Sequence, residues 1–97
     1  MNPPQVNSQE FIIATNTIKS LKVTPNNDEL LELYGWYKQA TIGNNLVKEP
    51  SMFNLKEKAK WKSWLEKKGK DVYSSEIEYI TLVNNLIKKY GVNKCSY

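Results

Sequence analysis

The sequence predicts an all-α protein, a small four-helix bundle, on three observations. First, an asparagine is followed three residues later by glutamate at Asn7/Glu10, Asn26/Glu29 and Asn54/Glu57. In that pairing the cap side chain and the acid satisfy each other's backbone donors at a helix start. Second, Gly43, Gly69 and Gly91 close the periodic segments, the last two after lysines that suit a helix C-terminus. Third, no alternation of apolar and polar residues competes for a strand.

Helices are expected near 8–21, 27–41, 55–68 and 71–90. On the first, Phe11, Ala14, Thr15 and Ile18 share a face at 100° per residue, with Lys22 extending it and Lys19 at its edge. Pro25 then falls between helices, where its missing donor does little harm. On the second, Leu30, Tyr34, Tyr37 and Thr41 form a stripe bordered by Leu31 and Leu33. Glu29, Glu32 and Gln39 take the polar side, with Trp36 at its border. Lys38 falls inside the apolar arc, between Tyr34 and Leu31 in angle. Gly35 sits mid-helix at a cost of about 1 kcal/mol relative to alanine, beside Leu31 and Lys38, which suggests close approach of a ligand or another helix.

The stretch 42–54 carries Gly43, Asn44, Asn45 and Pro50 and reads as a loop. On the third helix Lys56 and Lys60 lie one turn apart, close in angle to Trp64, while Trp61 and Leu65 offer another surface to the bundle. The fourth helix starts at Asp71, with Ser74 and Ser75 as alternative caps. Its stripe is Tyr79, Val83, Leu86 and Tyr90, widened by Ile80 and Ile87, with Thr81, Asn85, Lys88 and Lys89 opposite.

Ninety-seven residues suffice for one domain, 1–97, with short flexible termini. The chain has no histidine and one cysteine, Cys95, read as part of a loosely ordered tail. That excludes a disulfide within the chain and the usual zinc spacings, so no metal site is expected. It also leaves no nucleophile–base pair for a thioesterase or acyltransferase, and no catalytic residue is nominated. The start shows no signal peptide and no segment spans a bilayer, so no stable membrane anchor is expected. A reducing, cytoplasmic compartment fits these features.

The net charge of +4 comes from lysine alone, since arginine is absent. Lysine is a mobile point charge without the fork that reads base edges. Each lysine has an ordinary explanation, either snorkelling past apolar neighbours or lying on a solvated face. Together, a lysine among tyrosines on one helix and a lysine pair on another can surround an aromatic phosphate compound. Rings stack on its base while ammonium groups balance its phosphates. Single-stranded nucleic acid is the alternative partner, disfavoured because no nucleic-acid module and no arginine are present.

The segments "YGWYKQATIG" and "LKEKAKWKSW", followed by Tyr79 and the closing "KKYG", resemble the acyl-CoA-binding proteins, from about Phe11 to Val92. The resemblance implies an up-down-down-up bundle that carries medium- to long-chain fatty acyl-CoA thioesters and needs no cofactor. It places Tyr34 and Tyr37 beside the adenine and 3′-phosphate region, Lys38 and Lys60 at the ribose 3′-phosphate, and Tyr79 as the ring from the last helix. Lys19 and Lys56 match positions near the phosphates, and Leu30 and Leu31 match apolar positions near the acyl chain. It further implies an intracellular monomer that transports or buffers acyl-CoA, with transient contact with acyl-CoA-using enzymes or membranes. Departures from the pattern are Thr24 for lysine, Trp36 for histidine, and Asn44, Leu46 and Ser51 in the long loop. They bear on phosphate contacts and chain-length preference.

Overall fold

The computed structural model describes residues 7–93, and Cys95 lies outside them. Four helices follow in order: α1 (Gln9–Thr17), α2 (Asn27–Thr41), α3 (Leu55–Leu65) and α4 (Val72–Tyr90). A tighter 3-10 turn at Ile18–Ser20 extends α1.

Local chemistry at the helix starts differs from the sequence pattern at two of four positions. Asn26 and Glu29 form both bonds of the capping box on α2, at 2.9 and 3.0 Å. Asp71 caps α4 by accepting from the Ser74 backbone N–H at 2.7 Å. On α1, however, Ser8 rather than Asn7 is the cap, its hydroxyl accepting from Phe11 N–H. The Asn7 amide is drawn away to long-range partners, donating to the Ala40 carbonyl and to Glu76. Asn54 precedes α3 without a side-chain cap bond, because its backbone (φ −102°, ψ 74°) follows the loop turn closed by Asn54 N–H to the Ser51 carbonyl. α3 also ends at Leu65 and passes into turns, short of the expected residue 68; Gly69 closes them with φ +90°.

Hydrogen bonds fix the direction of each helix. Asn7, before α1, meets Glu76 early in α4, and Leu21 pairs with Val92 beyond the far ends of both helices, so α1 and α4 run parallel. Glu29, early in α2, meets Lys89 and Tyr90 at the end of α4, so α2 runs against them. The Leu31 carbonyl accepts from Ser63, and Gln39 further along α2 donates to the Lys70 carbonyl. α3 therefore runs with α2, giving the up-down-down-up order. A parallel neighbour requires the chain to travel back along the helix, which explains the long connection over residues 42–54.

Phe11 and Ala14 of α1, Leu33 and Ala40 of α2, and Tyr79, Val83 and Leu86 of α4 make the core cluster. Each large apolar side chain buried there contributes about 1.5–3 kcal/mol. The stripe expected on α4 faces inward as its periodicity requires. α3 contributes nothing to that cluster and docks on α2 by other means. Ser63 and Trp64 are its buried residues, and the Trp64 indole donates to the Gly43 carbonyl at 2.7 Å. Trp61 and Leu65 do not form the main bundle surface; Trp61 instead donates to the Val47 carbonyl and holds the loop. Just past α3, buried Lys67 pairs with Glu32 at 2.9 Å and lies 4.7 Å from the Trp36 ring.

Gln39 is the clearest departure on α2. Assigned to the polar side by its angle, it is only 1% exposed. Its Nε2 donates to Asn44 Oδ1 and the Lys70 carbonyl, both at 2.9 Å, so burial of the NH2 group is compensated by hydrogen bonding, while its Oε1 has no partner among the described residues. Gly35 is buried where α2 meets α3, so it is a helix, rather than a ligand, that approaches it closely.

Candidate functional site

The stripe on α2 separates two grooves, and Leu30 and Tyr34 line both. The first groove, of about 430 Å³, is walled by α2, by Tyr79 of α4 and by the segment that follows α1, including Lys19. The second, of about 640 Å³, lies between the parallel helices α2 and α3 and is lined by Leu31, Leu55, Lys56 and Lys60. Both volumes fall within the roughly 300–1,000 Å³ typical of ligand clefts.

The structure thus places eight of the nine nominated residues, namely Lys19, Leu30, Leu31, Tyr34, Tyr37, Lys56, Lys60 and Tyr79, on the walls of these two grooves. The ninth, Lys38, lines neither but joins the set through Tyr34. Its ammonium lies 5.8 Å from the Tyr34 ring centre and 5.4 Å from that of Trp64. Lys60, from α3, lies 4.9 Å from the same Tyr34 ring. Two cations from different helices thus converge on one tyrosine, an arrangement favoured by the negative ring face. Glu57 sits 3.5 Å from Lys60 one turn earlier, a half-exposed pairing that an incoming anion can replace at little cost.

On the other side of the stripe, Tyr37 and Tyr79 rest on Phe11. Phe11 stacks against Tyr37 at 6.0 Å and tilts against Tyr79 at 5.0 Å, while the two tyrosines are 6.1 Å apart. Tyr37 remains 41% exposed and Tyr79 only 4%, so one ring is presented to solvent and the other supports it. Burial, with Tyr37 beside it, pushes the Tyr79 hydroxyl up to about 12. It therefore stays protonated, and able to donate a hydrogen bond, throughout the neutral range.

Several lining residues were not singled out by the sequence. Leu21, Val23 and Pro25 wall the first groove because the 3-10 turn delivers the chain across the start of α2. Their positions depend on where α1 ends, which helical periodicity does not specify. Leu55 was detectable as the first apolar residue of a lysine-rich helix; 74% exposed, it stands at the edge of the second groove. Among the described residues, no group of three or more His, Cys, Asp or Glu side chains is placed to hold a metal ion.

A family model described as Acyl CoA binding protein matches residues 8–83. The acyl-CoA-binding protein homolog 1 of Caenorhabditis elegans is 51% identical over 81 residues, covering 84% of this chain and 94% of the relative. The acyl-CoA-binding protein of Saccharomyces cerevisiae is 47% identical over 84 residues, covering 87% of this chain and 97% of the relative. Among solved structures, Oryza sativa acyl-CoA-binding protein 2 superposes with a TM-score of 0.81 at 38% identity, covering 84% of this chain and 88% of that one. The solution structure of the yeast acyl coenzyme A binding protein gives 0.69 at 46% identity, covering 86% and 96%.

Proposed function

The chain belongs to the acyl-CoA-binding protein family, and from that premise we propose that it binds medium- to long-chain fatty acyl-CoA as a single-domain intracellular carrier. The family consists of carriers rather than enzymes. The observation that carries the reading is the pair of grooves meeting at Leu30 and Tyr34, apolar in their walls and edged by lysines. A ligand with a polyanionic aromatic head and a long apolar tail uses both properties at once.

In this reading Tyr34 and Tyr37 contact the adenine and 3′-phosphate region, with Tyr79 supporting them. Lys38 and Lys60 neutralise the 3′-phosphate, while Lys19 and Lys56 serve the remaining phosphates. Leu30 and Leu31 cover the start of the acyl chain. Each buried methylene contributes about 0.8 kcal/mol, so a dozen give roughly 10 kcal/mol gross. Ordering and desolvation subtract from that sum. Charge-assisted bonds to phosphate add about 1.5–3 kcal/mol each, without strict additivity. The protein acts as a cytoplasmic monomer, requires no cofactor, and delivers ligand through transient contacts with enzymes or membranes.

Calorimetry with palmitoyl-CoA, CoA and palmitate tests the two-part account. Palmitoyl-CoA should bind far more tightly than either fragment. Equal affinity for palmitoyl-CoA and CoA would remove the acyl chain from the site and overturn the reading.

A further inference from the structure

The loop between α2 and α3 does not cover its own apolar side chains. It runs back along α3, is pinned to that helix at two places and closes on itself in a turn just before it. Asn45 donates to the Trp61 carbonyl while Trp61 donates to that of Val47; Glu49 pairs with Lys58 at 3.2 Å; and Asn54 N–H closes on Ser51. The pins use backbone and polar groups, so the apolar side chains between them are left outside. Leu46 is 90% exposed, Phe53 91% and Met52 67%. Singly exposed apolar residues are ordinary, but several on one short loop mark an interaction surface.

The charges beside them are of one sign. Glu49 and Glu57 are each neutralised by a lysine, Lys58 and Lys60. Lys48 and Lys56 are exposed, adjoin the apolar side chains in sequence, and are in no ion pair among the described residues. We infer that this strip is a docking surface for a bilayer carrying anionic lipid, with Leu46, Met52 and Phe53 entering the hydrocarbon boundary and Lys48 meeting the headgroups, joined by Lys56 when no ligand occupies the second groove. Apolar tips with flanking ammonium groups match that interface, where each lysine strengthens binding to an anionic leaflet roughly fivefold. The same strip reaches Leu55 at the edge of the second groove, so docking brings that opening to the lipid. The consequence for acyl transfer rests on the acyl-CoA reading; the docking surface itself does not.

The test is flotation of the ligand-free protein with phosphatidylcholine vesicles, with and without phosphatidylserine. Wild type should bind the anionic vesicles and release with rising salt. The double variant Leu46→Ser, Phe53→Ser should lose about tenfold or more in vesicle affinity. Its circular dichroism and its palmitoyl-CoA affinity without vesicles should be unchanged. Lys48→Gln should lose roughly fivefold, on anionic vesicles only. Wild-type protein that binds neither vesicle, or a double variant that binds like wild type, overturns the inference. A wild-type dimer in sedimentation that the double variant loses assigns the strip to a second copy and also overturns it. Vesicle binding intact in a protein that ignores palmitoyl-CoA would overturn the proposed ligand and leave the docking surface standing.

Discussion

Replacing Gly35 by alanine sets helix propensity against packing, and the structure gives the size of each. Alanine is favoured over glycine mid-helix by about 1 kcal/mol, so on α2 alone the substitution stabilises. A Cβ at Gly35 would lie 2.8 Å from Ser63 Oγ, 2.9 Å from the Ser63 carbonyl oxygen and 3.0 Å from Lys67 Cε. The hydroxyl can rotate away only by giving up its 2.6 Å bond to the Leu31 carbonyl, worth about 1 kcal/mol. The carbonyl belongs to the α3 backbone and moves only with the helix. Overpacking of this kind costs about 1–3 kcal/mol. The balance is a net loss of about 1–3 kcal/mol, read as a lower midpoint in urea followed by circular dichroism. In a domain of this size each kcal/mol lowers the thermal midpoint by roughly 4–8 °C. Because Lys56 and Lys60 ride on α3, palmitoyl-CoA affinity should fall with it. A Gly35→Ala protein as stable as wild type or more so would show that α2 and α3 have no need of this close approach.

Three further outcomes follow from individual contacts. Lys60→Ala should weaken acyl-CoA binding by about 1.5–3 kcal/mol while changing the urea midpoint little, since its one ion pair among the described residues is the half-exposed one with Glu57. The loss should shrink for ligand lacking the 3′-phosphate, and an equal loss for both would refute the assigned role. Lys89, with the Tyr90 hydroxyl and the Asn26 N–H, holds the Glu29 carboxyl at about 2, below its ordinary 4.5. A lowered carboxylate stabilises fully above pH 4.5 and loses that contribution as pH falls toward 2, so Glu29→Gln should flatten the acid limb of a stability–pH curve. Gln39→Leu should destabilise by about 1–3 kcal/mol by stripping the Lys70 carbonyl of its side-chain donor and leaving Asn44 Oδ1 with the Gly69 N–H, and an unchanged thermal midpoint would contradict that.

What could be read in advance depended on whether a residue's partners were near it in sequence. The Asn26/Glu29 box and the Asp71 cap are local, and both formed. The cap at Asn7 failed because Ala40 and Glu76 compete for its amide, and neither is visible from residues 7–10. Gln39 was misplaced for the same reason. Helical angle gives a direction, and here that direction led to a loop amide and a carbonyl that made a buried polar side chain tolerable. Choosing between Trp61 and Trp64 required knowing that the loop returns along α3. The candidate site drew on helical spacing for Tyr34, Lys38, Lys56 and Lys60, and on the family resemblance for the roles given to Lys19, Leu30, Leu31 and Tyr79, and the grooves bring these elements together. Leu21, Val23 and Pro25, whose path depends on the 3-10 turn after α1, stayed hidden, and Leu55 was passed over.

The absence of α3 from the core cluster has a thermodynamic consequence. Phe11, Leu33, Tyr79 and Val83 bind three helices through burial, whereas α3 is held to α2 chiefly by Ser63, Trp64 and the Lys67–Glu32 pair. Regions with few buried apolar contacts open at a fraction of the global free energy, so the amides of α3 should exchange with solvent before those of α4. One wall of the second groove is therefore secured outside the apolar core. A ligand that touches both walls adds to the closed state alone, by RT ln(1 + [L]/Kd). Bound acyl chain would then do for α3 what Leu33 and Val83 do for the other helices, so that the protein completes its apolar interior with its own cargo.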